Sequence, residues 1–352
     1  MSRQAAPATG SWASDLWGTP WRAALSAALG AGMLWLGWQL AEWAVWDAVF
    51  HADADLCRRP GQGACWGVVA EKARPILWGR FPYEAQWRSA LSTVILLVLL
   101  GASAWPGFWR RSLVLAWAVG WIAFAVLMHG GVAGLSVVDT GRWGGLTLTL
   151  MLACLALSLA LPLGVALALG RRSHWPVVRT VCTTYIELVR GVPLISVLFM
   201  ATFMLPLVLP QGWRPDVLLR VLVGLVMFAA AYLAEVVRGG LQSVPRGQVE
   251  AAQALGLGPW QVQATVVLPQ ALRAVVPSLM NSVIGTLKDS SLVTVVGLYE
   301  LTGALSLALG GDPVWRPFYL EGYLFISAVY FTLCFSLSRY SRWVEARVAS
   351  PL

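Results

Sequence analysis

Residues 239–275 read GGLQSVPRGQVEAAQALGLGPWQVQATVVLPQALRAV. This stretch lies between two apolar runs, 217–237 and 276–298, yet has no segment of its own able to cross a bilayer. Pro245 is suited to open a helix. Gln248 to Leu255 supplies good helix formers, with Ala251, Ala252 and Leu255 on a small apolar face. Gly256 and Gly258 suit the C-terminal turn, and Pro259 prevents continuation. The spacing therefore predicts a short helix outside the bilayer, ending in glycine and carrying one carboxylate, Glu250. An amphipathic helix lying on lipid wants Lys or Arg on one face and bulky apolar residues on the other. This one is nearly uncharged and alanine-sided, which suits close docking into the groove of another protein.

The flanking chain sets the context. Of 352 residues, 58% are hydrophobic and 12% charged, about half the charge of an ordinary soluble domain. Mean hydropathy is +0.68. These values exclude a disordered, collagenous or ordinary cytosolic protein and point to a polytopic membrane protein. The +8 net charge rests on arginine, with Lys72 and Lys288 the only lysines. In a membrane chain it reads as positive charge flanking helices rather than as nucleic-acid binding, and the twenty tryptophans suit interfacial belts. Neither lysine sits in a GxxxxGK[ST] loop, no HExxH or GxSxG occurs, and no metal-ligand pattern is present, so the chain does not read as a self-contained enzyme.

Eight candidate spans follow from apolar length: 23–45, 89–105, 112–128, 144–170, 185–209, 217–237, 276–298 and 320–340. The first is too long, and its flank too poor in basic residues, for a cleaved signal peptide. Arg110 and Arg111, then Arg171, Arg172 and Arg179, then Arg238, Arg246 and Arg273, then Arg339, Arg342 and Arg347 fall on one side if the N-terminus is cytoplasmic. The opposite loops carry Arg142, Arg214 and Arg316. The 46–88 loop, with Arg58, Arg59, Lys72, Arg74, Arg80 and Arg88, runs against the rule. It also holds Cys57 and Cys65, which flank a Pro/Gly turn; a disulfide and a pair of free thiols are both open readings. Cys154, Cys182 and Cys334 read as packing residues. Pro162, Pro193, Pro206 and Pro277 mark expected kinks.

Glu250-Ala251-Ala252, three residues, Gly256, nine residues, then Val266-Val267-Leu268-Pro269 resembles the EAA loop of ABC importer permeases, with Val266 in place of the usual Ile. Glu235-Val236-Val237-Arg238-Gly239, Pro269-Gln270-Ala271-Leu272-Arg273, Leu287-Lys288-Asp289-Ser290-Ser291-Leu292 and Glu187-Leu188-Val189-Arg190-Gly191-Val192-Pro193 resemble the polar amino-acid uptake subfamily. Departures are Val192, Ser196 and Ser290. The resemblance covers about 144–345. The N-terminal part is similar to the M-type permease of general L-amino acid uptake systems.

The resemblance implies an all-α polytopic membrane protein of about eight transmembrane helices, five of them an ABC importer permease core with a cytoplasmic coupling helix. The implied layout is a cytoplasmic N-terminus (1–22) and a three-helix extension (23–143) with a periplasmic loop (46–88). The core (144–345) with its EAA loop (239–275) and a cytoplasmic tail (346–352) follow. The expected location is the bacterial inner membrane. The chain would hold no cofactor; a cytoplasmic ABC ATPase dimer would bind ATP and Mg, and a periplasmic amino-acid-binding protein would deliver substrate. A second permease subunit would complete a heterodimer in the bilayer. Glu250, Ala251, Ala252, Gly256, Leu268 and Pro269 would couple to the ATPase, the two alanines permitting close approach.

Two further constellations arise from the residues themselves. Glu187/Arg190 and Glu235/Arg238 are each spaced i, i+3, which puts each pair on one helix face; they read as local ion pairs, or as a gate or permease interface. Lys288 and Asp289 lie inside an apolar run, where ionisable residues are functional candidates. With Asn281, Ser290 and Ser291 they offer charges of both signs for a zwitterionic substrate, unless Lys288 and Asp289 neutralise each other or cap a broken helix. Other readings are a permease for an opine or polyamine, or a self-contained secondary transporter, though no repeat beyond the two hexapeptides supports the latter.

Overall fold

The computed structural model describes residues 16–348 apart from Gln211 and Arg214. Most of the expected N-terminal segment, most of the tail and Arg214 of the orientation argument lie outside the described residues. Among the described residues every regular element is helical, with two isolated β-bridges. Six helices are long and apolar enough to cross a membrane, or eight if each of two sharply bent helix pairs counts as one span.

The chain divides into two compact units at 71/72, well inside the expected three-helix extension, so the second and third N-terminal spans belong to the unit that holds the core. In the first unit, α1 (Pro20–Ala41) runs on through a π turn, Glu42–Trp46. Beyond it Cys57 and Cys65 form a disulfide with Cα atoms 5.5 Å apart. Trp66 Nε1 donates to Ala44 O at 2.7 Å, and Val49 N to Ala64 O at 2.8 Å, which folds this segment back on itself.

The second unit begins within α2 (Gly67–Trp78). It continues with α3 (Gln86–Ala104) and α4 (Arg111–His129). Next come α5 (Gly145–Arg171), α6 (Pro176–Arg190) and α7 (Leu194–Val208). Then follow α8 (Val217–Ser243), α9 (Arg246–Ala254) and α10 (Pro259–Ala274). Last are α11 (Val276–Asp289), α12 (Leu301–Gly310) and α13 (Tyr319–Val348). The α5 helix has no charge between Leu146 and Gly170, so it is apolar on all sides and takes the centre. It packs along α8 through small residues: a Cβ at Gly164 would stand 2.9 Å from Leu233 Cβ and 3.1 Å from Ala230 O. The two helices run in the same direction. Thr140, before α5, donates to Asp216, before α8, at 2.8 Å; Arg172, after α5, donates to Leu241 O near the end of α8 at 3.0 Å.

The helix α3 is tied to α5 by a buried hydroxyl trio, Ser89 to Thr147 and Thr93 to Thr147, both 2.7 Å. Arg88, 1% exposed, donates to Leu127 O at 2.5 Å and Ser136 O at 2.9 Å, fixing the far end of α4.

The expected continuous span 185–209 is broken. Helices α6 and α7 meet at 109° across Gly191–Pro193, where Pro193 lacks an N–H and adopts an extended ψ of 141°. The expected span 276–298 is also interrupted: its α-helix ends at Asp289, a 3-10 stretch runs from Ser290 to Val296, and Gly297 (φ +89°) ends it. Before it, α10 and α11 are bent by 63°. The kink expected at Pro277 falls at this bend, with the proline in the first turn of α11, whereas Pro162 sits inside an unbroken α5. Pro206 follows a π turn, Met200–Met204. Having no N–H, it cannot satisfy the carbonyl of Thr202, and the Arg220 guanidinium donates to that oxygen instead.

Glu300, at the start of α12, has no exposed surface. Its Oε1 accepts from Thr302 N (2.9 Å), Gly303 N (3.1 Å) and Thr294 Oγ1 (3.0 Å). Its Oε2 accepts from Thr149 Oγ1 (3.2 Å) and Tyr330 OH (2.7 Å). One carboxylate thereby caps α12 and joins it to α5 and α13.

Candidate coupling helix and charged latch

The α9 helix ends in a Schellman turn. Gly256 takes φ +81°, its N–H reaches Gln253 O at 2.9 Å, and Leu257 N–H reaches Ala252 O at 3.2 Å. The left-handed conformation favours glycine because a Cβ would be strained there. Pro245 lies one residue before the helix, and Pro259 opens α10.

The face of α9 differs from expectation in one respect. Ala252 is 4% exposed and packs inward with Val262, Val267 and Ala271. Its small size serves close packing within the chain. Glu250, Ala251 and Gly256 are exposed, joined by Leu255 at 82% and Trp260 at 72%. Leu255 belongs to the apolar face read from sequence, whereas Trp260 was not singled out; a bulky residue beside the glycine turn was the available signal. Pro269 follows another π turn, Val262–Val267, which widens the helix where the proline ring would press on the carbonyl of Thr265. Leu268 is half-buried at that junction.

The two acidic hexapeptides come together through a residue that sequence spacing did not identify. Arg171, at the end of α5, reaches Glu187 Oε1 at 2.8 Å and Glu235 Oε2 at 3.2 Å. Glu235 also binds Arg238, and Arg190 approaches it at 3.7 Å. The Glu235/Arg238 pair forms as expected. The Glu187/Arg190 pair is absent from the ion pairs among the described residues: Arg190 turns to Glu235, with its guanidinium 5.6 Å from the Tyr232 ring, and Arg171 takes Glu187. Three guanidinium groups thus hold two carboxylates across α5, α6 and α8. Glu235 and Arg171 are about a quarter exposed and Glu187 about half. Such wet pairs contribute roughly 0–1 kcal/mol each, so the network can break and re-form. Beside it a groove of about 330 Å³ is lined by Arg171 of α5 and by Arg179, Thr180, Thr183 and Thr184 of α6.

The residues around 281–291 separate. Asn281 and Lys288 are exposed on α11, two turns apart on one face with Gly285, whose Cβ position meets nothing within 4 Å. Asp289 is half-buried, and no ion pair between it and Lys288 occurs among the described residues. Neither side chain caps a helix. Ser290 is fully buried and donates to Leu287 O at 2.7 Å, away from the Lys288 face; Ser291 donates to Lys288 O at 2.7 Å. Among the described residues no group of three or more His, Cys, Asp or Glu could hold a metal ion.

Residues 160–350 match the family described as binding-protein-dependent transport system inner membrane component. The chain belongs to that family. A relative in Escherichia coli K12, the inner membrane amino-acid ABC transporter permease protein YhdY, is 44% identical over 90% of this chain and 87% of its own length. The glutamate/glutamine/aspartate/asparagine transport system permease protein BztC of Rhodobacter capsulatus is 33% identical over 90% of this chain and 88% of its own. Among solved structures, a chain from an amino acid ABC transporter crystallised with histidines is 32% identical over 58% of this chain and 92% of that one, with a TM-score of 0.52. This transport component is therefore an inner-membrane permease subunit and not an enzyme, and ATP hydrolysis belongs to a separate subunit. Relatives of full length share the N-terminal extension, whereas the solved chain corresponds to a shorter core.

Proposed function

We propose that the chain imports L-amino acids. In this reading it pairs with a second permease, takes substrate from a periplasmic binding protein and is driven by a cytoplasmic ATPase dimer that binds ATP and Mg. The N-terminus is cytoplasmic. The observation that carries the reading is α9, an exposed, glycine-terminated helix presenting Glu250 and Ala251, with Leu255 at its end and Trp260 at the start of α10 beside it. The names of YhdY and BztC support amino acids as cargo. In this mechanism closure of the ATPase pushes α9, and α10 transmits the displacement to α8 and the latch through the small-residue cluster of Ala234, Ala252 and Ala271. Opening the latch widens the threonine-lined groove, while Asn281 and Lys288 present donors for a substrate carboxylate toward the partner permease. This is a two-state element biased from a distant site, as coupling requires.

The test is uptake of a panel of labelled amino acids by cells carrying the full transporter, with and without Gly256→Asp. A Cβ at φ +81° and a new charge at the docking tip should lower uptake more than tenfold, with the permease still in the membrane. Normal uptake by that variant would sink the coupling role of α9. Uptake of polyamines or opines but no amino acid would overturn the cargo assignment.

A further inference from the structure

One contact of the extension with the core lies at the end of α5 opposite α9, some 40 Å away along a 27-residue helix. Lys72 in α2 reaches Asp312, just past α12, with Nζ and Oδ2 2.7 Å apart and both side chains partly exposed. At the other end of α2 three backbones come into contact. A Cβ at Gly79 would stand 2.6 Å from Gly144 Cα, and one at Gly144 would stand 2.7 Å from Tyr299 O. Gly145 N–H donates to Tyr299 O at 2.9 Å, and a Cβ at Gly145 would run into the carbonyl of Leu77. Gly79 and Gly145 both have positive φ, +60° and +62°. Helix α2 is thus fastened to the start of α12 through the glycine junction and to its finish through the ion pair. Glu300 independently bonds the start of α12 to α5 and α13.

We infer that residues 72–79 of the extension are a brace. They clamp α12 at both ends, so α2, α5 and α12 move as one body while the opposite end of the permease opens and closes. Lys72 is the positioning residue of that brace. A salt link between two elements resists their separation when it is backed by backbone contact at the other end, as it is here at Gly79, Gly144 and Tyr299. The inference assigns the extension a mechanical role and does not depend on which solute is carried.

The experiment uses the complete transporter in proteoliposomes, with wild type as the control for cargo. In Lys72→Cys/Asp312→Cys, a short thiol linker joins the two positions. The expected result is that linking restores the solute moved per ATP that loss of the ion pair costs; loss of uptake on linking would mean that α2 and α12 must part, and would overturn the brace. Lys72→Glu should reduce solute moved per ATP about fivefold, with permease level and basal ATP hydrolysis retained. The exchanged pair Lys72→Glu/Asp312→Lys should recover most of it. A Lys72→Glu variant that transports normally, or one whose ATP hydrolysis and membrane level fall in step with uptake, would overturn the positioning role. Failure of wild type to move any amino acid would count against the proposed cargo while leaving the linking result interpretable through ATP hydrolysis.

Discussion

The two ends of α5 hold carboxylates in opposite ways. At its start, Glu300 is fully buried and accepts five hydrogen bonds from neutral donors. At its finish, Glu235 is a quarter exposed and surrounded by three arginines. The first arrangement is rigid. Each donor has a fixed place on α5, α12, α13 or the 3-10 stretch, and removing the acceptor strands all of them without water. The second is reversible, since water and counter-ions compete for every contact. A transporter needs both: an end that stays assembled and an end that switches when its partner closes.

The comparison breaks most sharply at Glu300. Glu300→Ala should destabilise the folded chain by about 3–5 kcal/mol, from stranded donors plus a cavity, and be read as loss of folded protein in a detergent melting series. Glu300→Gln keeps the shape but turns an amide NH2 toward donors, so it should fall in between. Glu235→Gln at the other end should cost about 1 kcal/mol or less in the same series. If the two variants melt alike, the distinction between a rigid and a reversible end fails.

A second contrast sharpens the reversible end. Raising salt from about 0.05 to about 0.5 M shortens the screening length to a few ångströms. Wild type should then approach Glu235→Gln in its ATP hydrolysis without substrate, whereas Glu300 variants should show no convergence, because their carboxylate site is dry. Arg171→Gln should resemble Glu235→Gln, since Arg171 joins both acidic residues; indifference to Arg171 would reduce the cluster to Glu235 with Arg190 and Arg238.

These contrasts also explain what was legible in the sequence. The α9 helix was legible because its ends are set by local chemistry: the glycine that takes φ +81° and the proline that begins the next helix act over a few residues. Breaks at Gly191–Pro193 and before Pro277 were visible as punctuation, but how far they bend the chain, 109° and 63°, depends on tertiary packing. The spacing rule paired Glu187 with Arg190 because it sees one helix at a time; Arg171, distant in sequence, competes successfully for Glu187. Ala252 looked like docking surface because an alanine does not reveal which side is covered. Glu300 was missed altogether. Its signal was a carboxylate directly before the apolar run Leu301–Gly310, a costly place for an unpaired charge.

The smallest effect expected concerns pH at the braced end. The ammonium of Lys72, hydrogen-bonded to Asp312, holds that carboxyl below the ordinary carboxylate range, with the backbone N–H of Val314 adding to the effect. A depressed carboxyl contributes stability that is fully present above its unfolded pKa and is lost as pH falls through the folded value. The pair should therefore be intact throughout the neutral range. Melting of the purified transporter should differ between wild type and Lys72→Met by a constant interval from pH ~8 down to ~5, and the two curves should converge only below ~4. A difference that already shrinks between pH ~7 and ~6 would mean that a group other than Asp312 controls the link. The brace would then be a switch, and the contrast between the fixed and the moving end of α5 would have to be redrawn.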